Sequence, residues 1–459
     1  MNRLVFQLAG AVGPDNQRHV EISLEEPSVF GADRRPFVCT AQEPEFLALK
    51  DAQLTADAIR IAGRRLYDAV VTHPELSQWL TTALQTQAPQ RYPIYVEIAT
   101  GAGIEALPWE TLCAPNGEFL GLDERWAVGR IVDGPVPVQP IWPFTSPLRI
   151  TAVLSCLGVP ARDEWLALSG AFAAAAALQV EVLVIVSEEA LFDEIQPAAP
   201  ANVRVEFVPP DLTNLQQMVR AFRPHVLHFF CHGSAQTSPH LRIAVKSDWL
   251  LGGQSSITVE PREIRAFTEP TDDRPWLVVL NCCESAAADG AEDVQSIALR
   301  LVVDGAVPAV VGMREPVRSN DANLFTRAFY GRLLGELKTR TTAATSDTEP
   351  IDWAQLVVQA RTELARKHPG LIFSQAAAST KEWTMPVVYM RPTPFTMRLA
   401  PAGPPPGPPG AAPTPRALRL QIEALRGMLA QVPPDDPSQA LRDDIEQQLA
   451  ALTRLPGSV

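Results

Sequence analysis

Between residues 148 and 400 the chain carries a series of near-continuous apolar runs: LRITAVLSC, VEVLVIV, VRVEFV, HVLHFFCH, WLVVLNCC and AVPAVVGM. Most are separated by helical patterns such as TNLQQMVRAF and DVQSIALRLVVDG. An apolar run without alternation fits a strand buried on both faces, and such strands alternating with helices make a mostly parallel sheet covered on both sides. The expected architecture is therefore α/β, a three-layer αβα sandwich whose ligands and chemistry belong at the carboxyl ends of the strands. Two strong helices, NDANLFTRAFYGRLLGEL and IDWAQLVVQARTELARKH, and a last apolar run, MPVVYMR, complete the segment.

Proline sets the boundaries. Of the 43 prolines, 13 concentrate at 134 to 147 and 401 to 415, where the composition favours extended segments over helix. Residues 1–147 are expected to form a small α/β unit. It opens with short alternating runs, LVFQLAG and HVEISLEE. A long helical pattern through Phe46, Leu47, Leu49, Leu54, Ile59, Ile61 and Leu66 follows, then strand-like YPIYVEIAT. Residues 148–400 hold the large sheet, and 401–415 form a Pro/Gly-rich linker. In 416–459, Leu418, Ile422, Leu425 and Leu429, then Leu441, Ile445, Leu449 and Leu452, recur at helical spacing around VPPDDPS. A helical hairpin of that size lacks the core to stand alone, so it is expected to dock on a partner or on a second copy of the chain.

Composition excludes several functions. With 52 acidic and 39 basic residues the net charge is −13, so phosphate backbones and anionic lipid surfaces would repel the protein. No nucleic acid or membrane partner is expected. Six scattered cysteines do not make a disulfide framework, and reduced thiols are the default. The opening MNRLVFQLAGAVG resembles a signal peptide only until Gln7, and it reads on as a strand into a turn. The longest apolar stretch, Gly170 to Val186, contains Gln179 and Glu181 and falls short of the roughly 20 residues a spanning helix needs. A soluble, cytoplasmic protein is the expectation.

Two strand ends carry reactive side chains. HVLHFFCHGSA puts His232 and Gly233 where one run stops, and WLVVLNCCESA puts Cys283 where another stops. If these strands are neighbours, an imidazole and a thiol sit side by side, a pairing suited to nucleophilic catalysis because the attacking species is a thiolate. Gly233 lets a backbone N–H face a substrate oxygen, and the N–H of Cys283 supplies a second oxyanion donor. His228, inside its run, reads as a core histidine, and Cys156, Cys231 and Cys282 as small core residues. A zinc set from His228, Cys231, His232, Cys282 and Cys283 fits by ligand type, but adjacent cysteines on a strand point to opposite faces. No metal is expected. No G-x-S-x-G elbow and no phosphate-binding glycine motif follows a strand, which argues against a serine hydrolase and a nucleotide-binding module.

At these two strand ends the sequence resembles the CHAT domains, caspase-like cysteine peptidases of bacteria related to caspases, metacaspases and separase. The resemblance covers most of 1 to 395 and includes LPWETL with GEFLGLDERWAVGRIV, LHFFCHGS, LVVLNCCESAA, DGAVPAVVGMREPV, FTRAFYGRLLGEL, LVVQARTEL and a closing strand near Trp383. It implies that His232 is the catalytic histidine of a His-Gly pair and Cys283 the nucleophile. It also implies that residues 1–147 are a degenerate caspase-like half packed on the catalytic half, 148–400. Relatives that cut after Arg or Lys carry an Asp two residues before the nucleophile, where this chain has Asn281, and a buried cation without a charged partner is costly. Cleavage after a neutral residue is therefore expected, with Asn281 in the substrate-binding wall. A Trp usual after VVGM is replaced by Arg314-Glu315, and Arg314 could attract an acidic substrate residue. The resemblance further implies a protein substrate, a regulated pathway such as bacterial defence or cell death, and a sensor or adaptor engaged through the C-terminal helices. No cofactor is expected: some relatives use calcium, but no ligand cluster for it stands out here. The reading from another class is an inactive scaffold that binds partners through its tail.

Overall fold

The apolar runs become strands, because a ladder with neighbours on both sides and helices on both faces satisfies their backbone and buries their side chains. The computed structural model describes residues 3–399 except 13–17, 28–32, 52–53, 56, 86–90, 99–102, 235–238, 252–253, 268–274, 284–286, 288–295, 306, 343–348 and 368–371. The linker and helical hairpin expected over 401–459 lie outside the described residues.

The first segment contributes β1 (Leu4–Val12), β2 (Arg18–Glu26), β3 (Arg34–Pro36), β4 (Ile94–Ile98), β5 (Val128–Ile131) and β6 (Ile141–Phe144). The second contributes β7 (Leu148–Ser155), β8 (Val180–Val186), β9 (Val203–Phe207), β10 (Val226–Ser234), β11 (His240–Ile243), β12 (Ile257–Val259), β13 (Leu277–Leu280), β14 (Ala309–Met313), β15 (Pro386–Met390) and β16 (Thr396–Leu399). One 14-stranded sheet runs β3-β2-β1-β4-β5-β15-β14-β13-β10-β7-β8-β9, with β11 and β12 branching from β10, and β6 pairs with β16 apart from it. From β14 to β9 every pairing is parallel, as the unbroken apolar runs require. The MPVVYMR run is β15, antiparallel to β14 and parallel to β5, so it joins the two segments into one sheet. The opening run is β1, and no helix among the described residues is long and apolar enough to cross a membrane.

Alternate side chains feed two cores. Val226, Phe230, Leu277 and Val279 face the helices Arg162–Ala174 and Ser319–Thr342, while Leu227, Phe229, Cys231, Val278, Leu280 and Cys282 face Leu212–Phe222 and Ile297–Val303. The three expected layers follow. The long helical pattern of the first segment is broken, however: Pro44–Leu47 tightens into a 3-10 turn ending at Lys50, Asp51 is extended, and a second helix covers Ala58–Val70. On one straight helix Leu49 and Ile59 would project about 80° apart. Two short helices let both reach the same core, where both are buried.

A fully buried ion pair sits at the junction of the two segments. Arg130 of β5 meets Glu110 through Nη2–Oε2 at 2.9 Å and Nε–Oε1 at 3.1 Å, and both side chains are 0% exposed. Burial alone would raise the Glu110 carboxyl, but the guanidinium groups of Arg130 and Arg361 outweigh it and hold it below its usual value. Arg361, also buried, donates to the carbonyls of Val128 and Pro386, one on each side of the β5–β15 seam; burial pulls its guanidinium down to about 10.

Replacing Glu110 with Ala strands two buried cations, so denaturant unfolding of Glu110→Ala should show a loss of about 3–5 kcal/mol. Because the folded-state pKa of Glu110 is depressed, its contribution is complete above the unfolded value and fades as pH falls through the folded one. The gap between wild type and variant should therefore narrow only at acid pH.

Candidate active site

The site is built by register. β10 and β13 pair in parallel from Val226↔Leu277 to Phe229↔Leu280. The same offset continues past the last pair: Asn281 N donates to Phe229 O at 2.9 Å, and the sulfurs of Cys231 and Cys282 lie 3.2 Å apart. One step on, His232 is level with Cys283. Asn281 turns to the face of Phe230, toward Glu164, and Cys231 and Cys282 lie on the other, while Cys283 follows in a turn just beyond β13. His232 and Cys283 therefore lie at the same rim of the sheet, both half-buried. Gly233 is required by close approach: a Cβ there would lie 2.1 Å from the Cys283 carbonyl oxygen.

The imidazole is held from its other side. His232 Nε2 lies 2.7 Å from the Leu157 carbonyl. A carbonyl only accepts, so Nε2 carries the proton and Nδ1 of the neutral ring is left as the basic nitrogen. β7 pairs with β10 up to Cys231↔Ser155, which makes Cys156 level with His232, and its sulfur is 3.7 Å from both ring nitrogens. Burial pushes the Cys156 thiol up, so it stays neutral. Cys156 and Cys283 thus lie just beyond the ends of β7 and β13, the two strands that flank His232 on β10. Cys231 is likewise raised by burial and by its hydrogen bond with Cys282, the behaviour of an inert core thiol. Cys283 lies against the loop after β14, with Sγ 3.9 Å from the Val317 carbonyl.

Asn281 is turned inward. It is 2% exposed, and its amide donates to Glu164 Oε1 at 2.9 Å, Thr326 Oγ1 at 3.0 Å and the Ala322 carbonyl at 3.2 Å. Thr326 also donates to Glu164 Oε1, and His228 Nε2 approaches the same oxygen to 2.9 Å without the alignment of a hydrogen bond. The carboxylate of Glu164 is thus met by an amide, a hydroxyl and an imidazole, all buried. Arg314 is not free for an acidic substrate group, since Nη2 donates to Thr384 Oγ1 at 3.1 Å and lies 3.5 Å from Glu315, which also meets Lys381 at 2.9 Å. Among the described residues no group of three or more His, Cys, Asp or Glu is placed to hold a metal ion. The 284–286 part of the cysteine motif lies outside the described residues.

Sequence reasoning missed Leu157, Cys156, Glu164 and Arg242, the cross-strand neighbour of His232 on β11. Of these only Cys156, closing the LRITAVLSC run at a strand end, carried a signal in the sequence.

A mostly parallel sheet between helical layers, with His232 and Cys283 at its carboxyl rim, defines the class: a three-layer α/β protein with its candidate site at the strand ends. A model of the CHAT domain matches residues 60–360, about two thirds of the chain, and the chain belongs to the CHAT domain family. No curated protein matches it. The similar solved structures include the Saccharomyces cerevisiae separase-securin complex, at 14% identity and a TM-score of 0.35, over 82% of this chain and 21% of that one. This chain spans about a fifth of the length of that protein.

Gly233→Ala should remain folded but strained, because the new methyl must displace the Cys283 carbonyl. Thermal unfolding should show about 1–3 kcal/mol of destabilisation, and alkylation of Cys283 should slow with it.

Proposed function

We propose that the protein is a cysteine endopeptidase in which Cys283 is the nucleophile and His232 the general base and acid. The observation that supports the reading is the parallel pairing of β10 and β13, whose carboxyl ends lead to His232 and Cys283 at one rim. In this scheme the Cys283 proton passes to Nδ1 of His232, the nitrogen left free by the Leu157 carbonyl. The thiolate then attacks the peptide carbonyl carbon, and the amides of Gly233 and Cys283 receive the oxyanion. The imidazolium returns its proton to the leaving amine. Water, deprotonated by the same nitrogen, hydrolyses the thioester and regenerates the thiol. The Leu157 carbonyl orients the ring, so no acidic third member is needed.

The residue preceding the cut is neutral in this reading. It is supported by the inward turn of Asn281 and by the burial of Glu164, whose carboxylate is engaged by Asn281, Thr326 and His228. The substrate is a protein, and the helical spacing in 416–459 marks that tail for recruitment of a sensor or adaptor in a regulated pathway such as bacterial defence.

Purified protein mixed with a proteome-derived peptide library should generate new peptide ends that are absent with Cys283→Ala. The residues before the cuts should be uncharged. Cuts that persist in Cys283→Ala would overturn the nucleophile assignment. A profile dominated by Arg or Lys would overturn the neutral preference and make Glu164 the charge that selects it.

A further inference from the structure

Among the described residues Arg242 stands apart from the other enclosed arginines; even Arg332, whose ε-nitrogen also lacks a hydrogen-bond partner, has Glu124 at 3.7 Å. Arg3, Arg65, Arg130 and Arg340 each meet a carboxylate within 3 Å, of Glu26, Glu43, Glu110 and Glu336 respectively. Arg361 is satisfied by three backbone hydrogen bonds. Arg242 is half-buried, its ε-nitrogen is enclosed without a hydrogen-bond partner, and it forms no ion pair with any described residue. A guanidinium partly removed from water with no acceptor is costly, and a fold that keeps one leaves it for something that arrives later.

Its position says where. β11 pairs antiparallel with the end of β10, with His232 directly opposite Arg242. Leu241 and Ile243 go into the core on the far face, so Arg242 stands on the face of His232 and Cys156. Residues directly opposite on antiparallel strands have Cβ atoms about 5 Å apart. Among the described residues, Glu188 accepts from the Ala161 amide, Lys246 meets Glu189, and Arg314 and Lys381 share Glu315.

We propose that Arg242 is a specificity-determining residue that binds a carboxylate of the peptide substrate beside the His232–Cys283 pair. The inference rests on the peptidase reading above and adds to it an acidic side chain in the bound segment, distinct from the neutral residue at the cut. The guanidinium presents two parallel N–H donors to a carboxylate, a geometry that a lysine ammonium cannot reproduce.

Small thiol reagents test this without a known substrate. The full-length protein is treated with iodoacetate, which carries a carboxylate, and with iodoacetamide, its neutral analogue, and modification of Cys283 is followed by peptide mass mapping. In wild type the ratio of the two rates at Cys283 should exceed that of Arg242→Met by about tenfold, the equivalent of one charge-assisted contact. Arg242→Lys, which keeps the charge and loses the fork, should fall between them, and the wild-type preference should shrink as salt screens the field. Equal ratios in wild type and Arg242→Met, with Cys283 labelled in both, would overturn the role of Arg242 and leave the peptidase reading standing. No labelling of Cys283 by either reagent would overturn the armed-nucleophile reading, and the inference with it.

Discussion

The parallel pairing of β7, β10 and β13 is the constraint on which the rest of the site depends. A parallel ladder fixes one offset along its whole length, so the hydrogen bonds deep in the sheet determine which residues are level at its rim. Cys156, His232 and Cys283 come to one rim because Val226 is level with Ile150 and Leu277. A one-residue slip would turn His232 to the opposite face, that of Cys231 and Cys282. The apolar cores on both sides of the sheet hold that register, which ties the chemistry at the rim to the packing beneath it.

The same sheet makes the amino-terminal segment part of the site's support. β15 lies between β5 and β14, and the buried Arg130–Glu110 pair and the Arg361 guanidinium stitch that seam to the loops around it. Thr384, just before β15, receives Arg314 from the loop after β14, and Val317 of that loop lies against Cys283. A chain of contacts thus runs from the junction of the segments to the wall beside Cys283. The ion pair lies within the first segment, and contacts that cross the seam run from Arg130 to the Tyr389 hydroxyl and from Arg361 to the Val128 carbonyl.

Much of this was legible in the residues. The unbroken Val/Ile/Leu runs of the second segment match its strands, because burial on both faces leaves no position for a polar alternate. His232 and Cys283 stood out because a polar, reactive residue that ends such a run lies at the exposed rim. The helical pattern from Phe46 to Leu66 misled, since periodicity alone does not reveal a break that lets two short helices pack at different angles. Asn281 and Arg314 were legible as residues near a thiol but not in their orientation. Whether an amide turns to the solvent or to Glu164 depends on a helix more than a hundred positions away in sequence.

The sequence by itself determined the strands, their two-sided burial and the residue types at their ends, because these follow from local patterns, unbroken apolar runs between segments with the 3.6-residue helical period. Only the tertiary structure decided which ends are neighbours: that Leu157 holds the imidazole, that Cys156 flanks it, that Glu164 occupies Asn281, and that Arg242 stands opposite His232 with no ion pair among the described residues. Those relations depend on strand order, and the order is set by how whole faces pack, a long-range property that no window of residues contains.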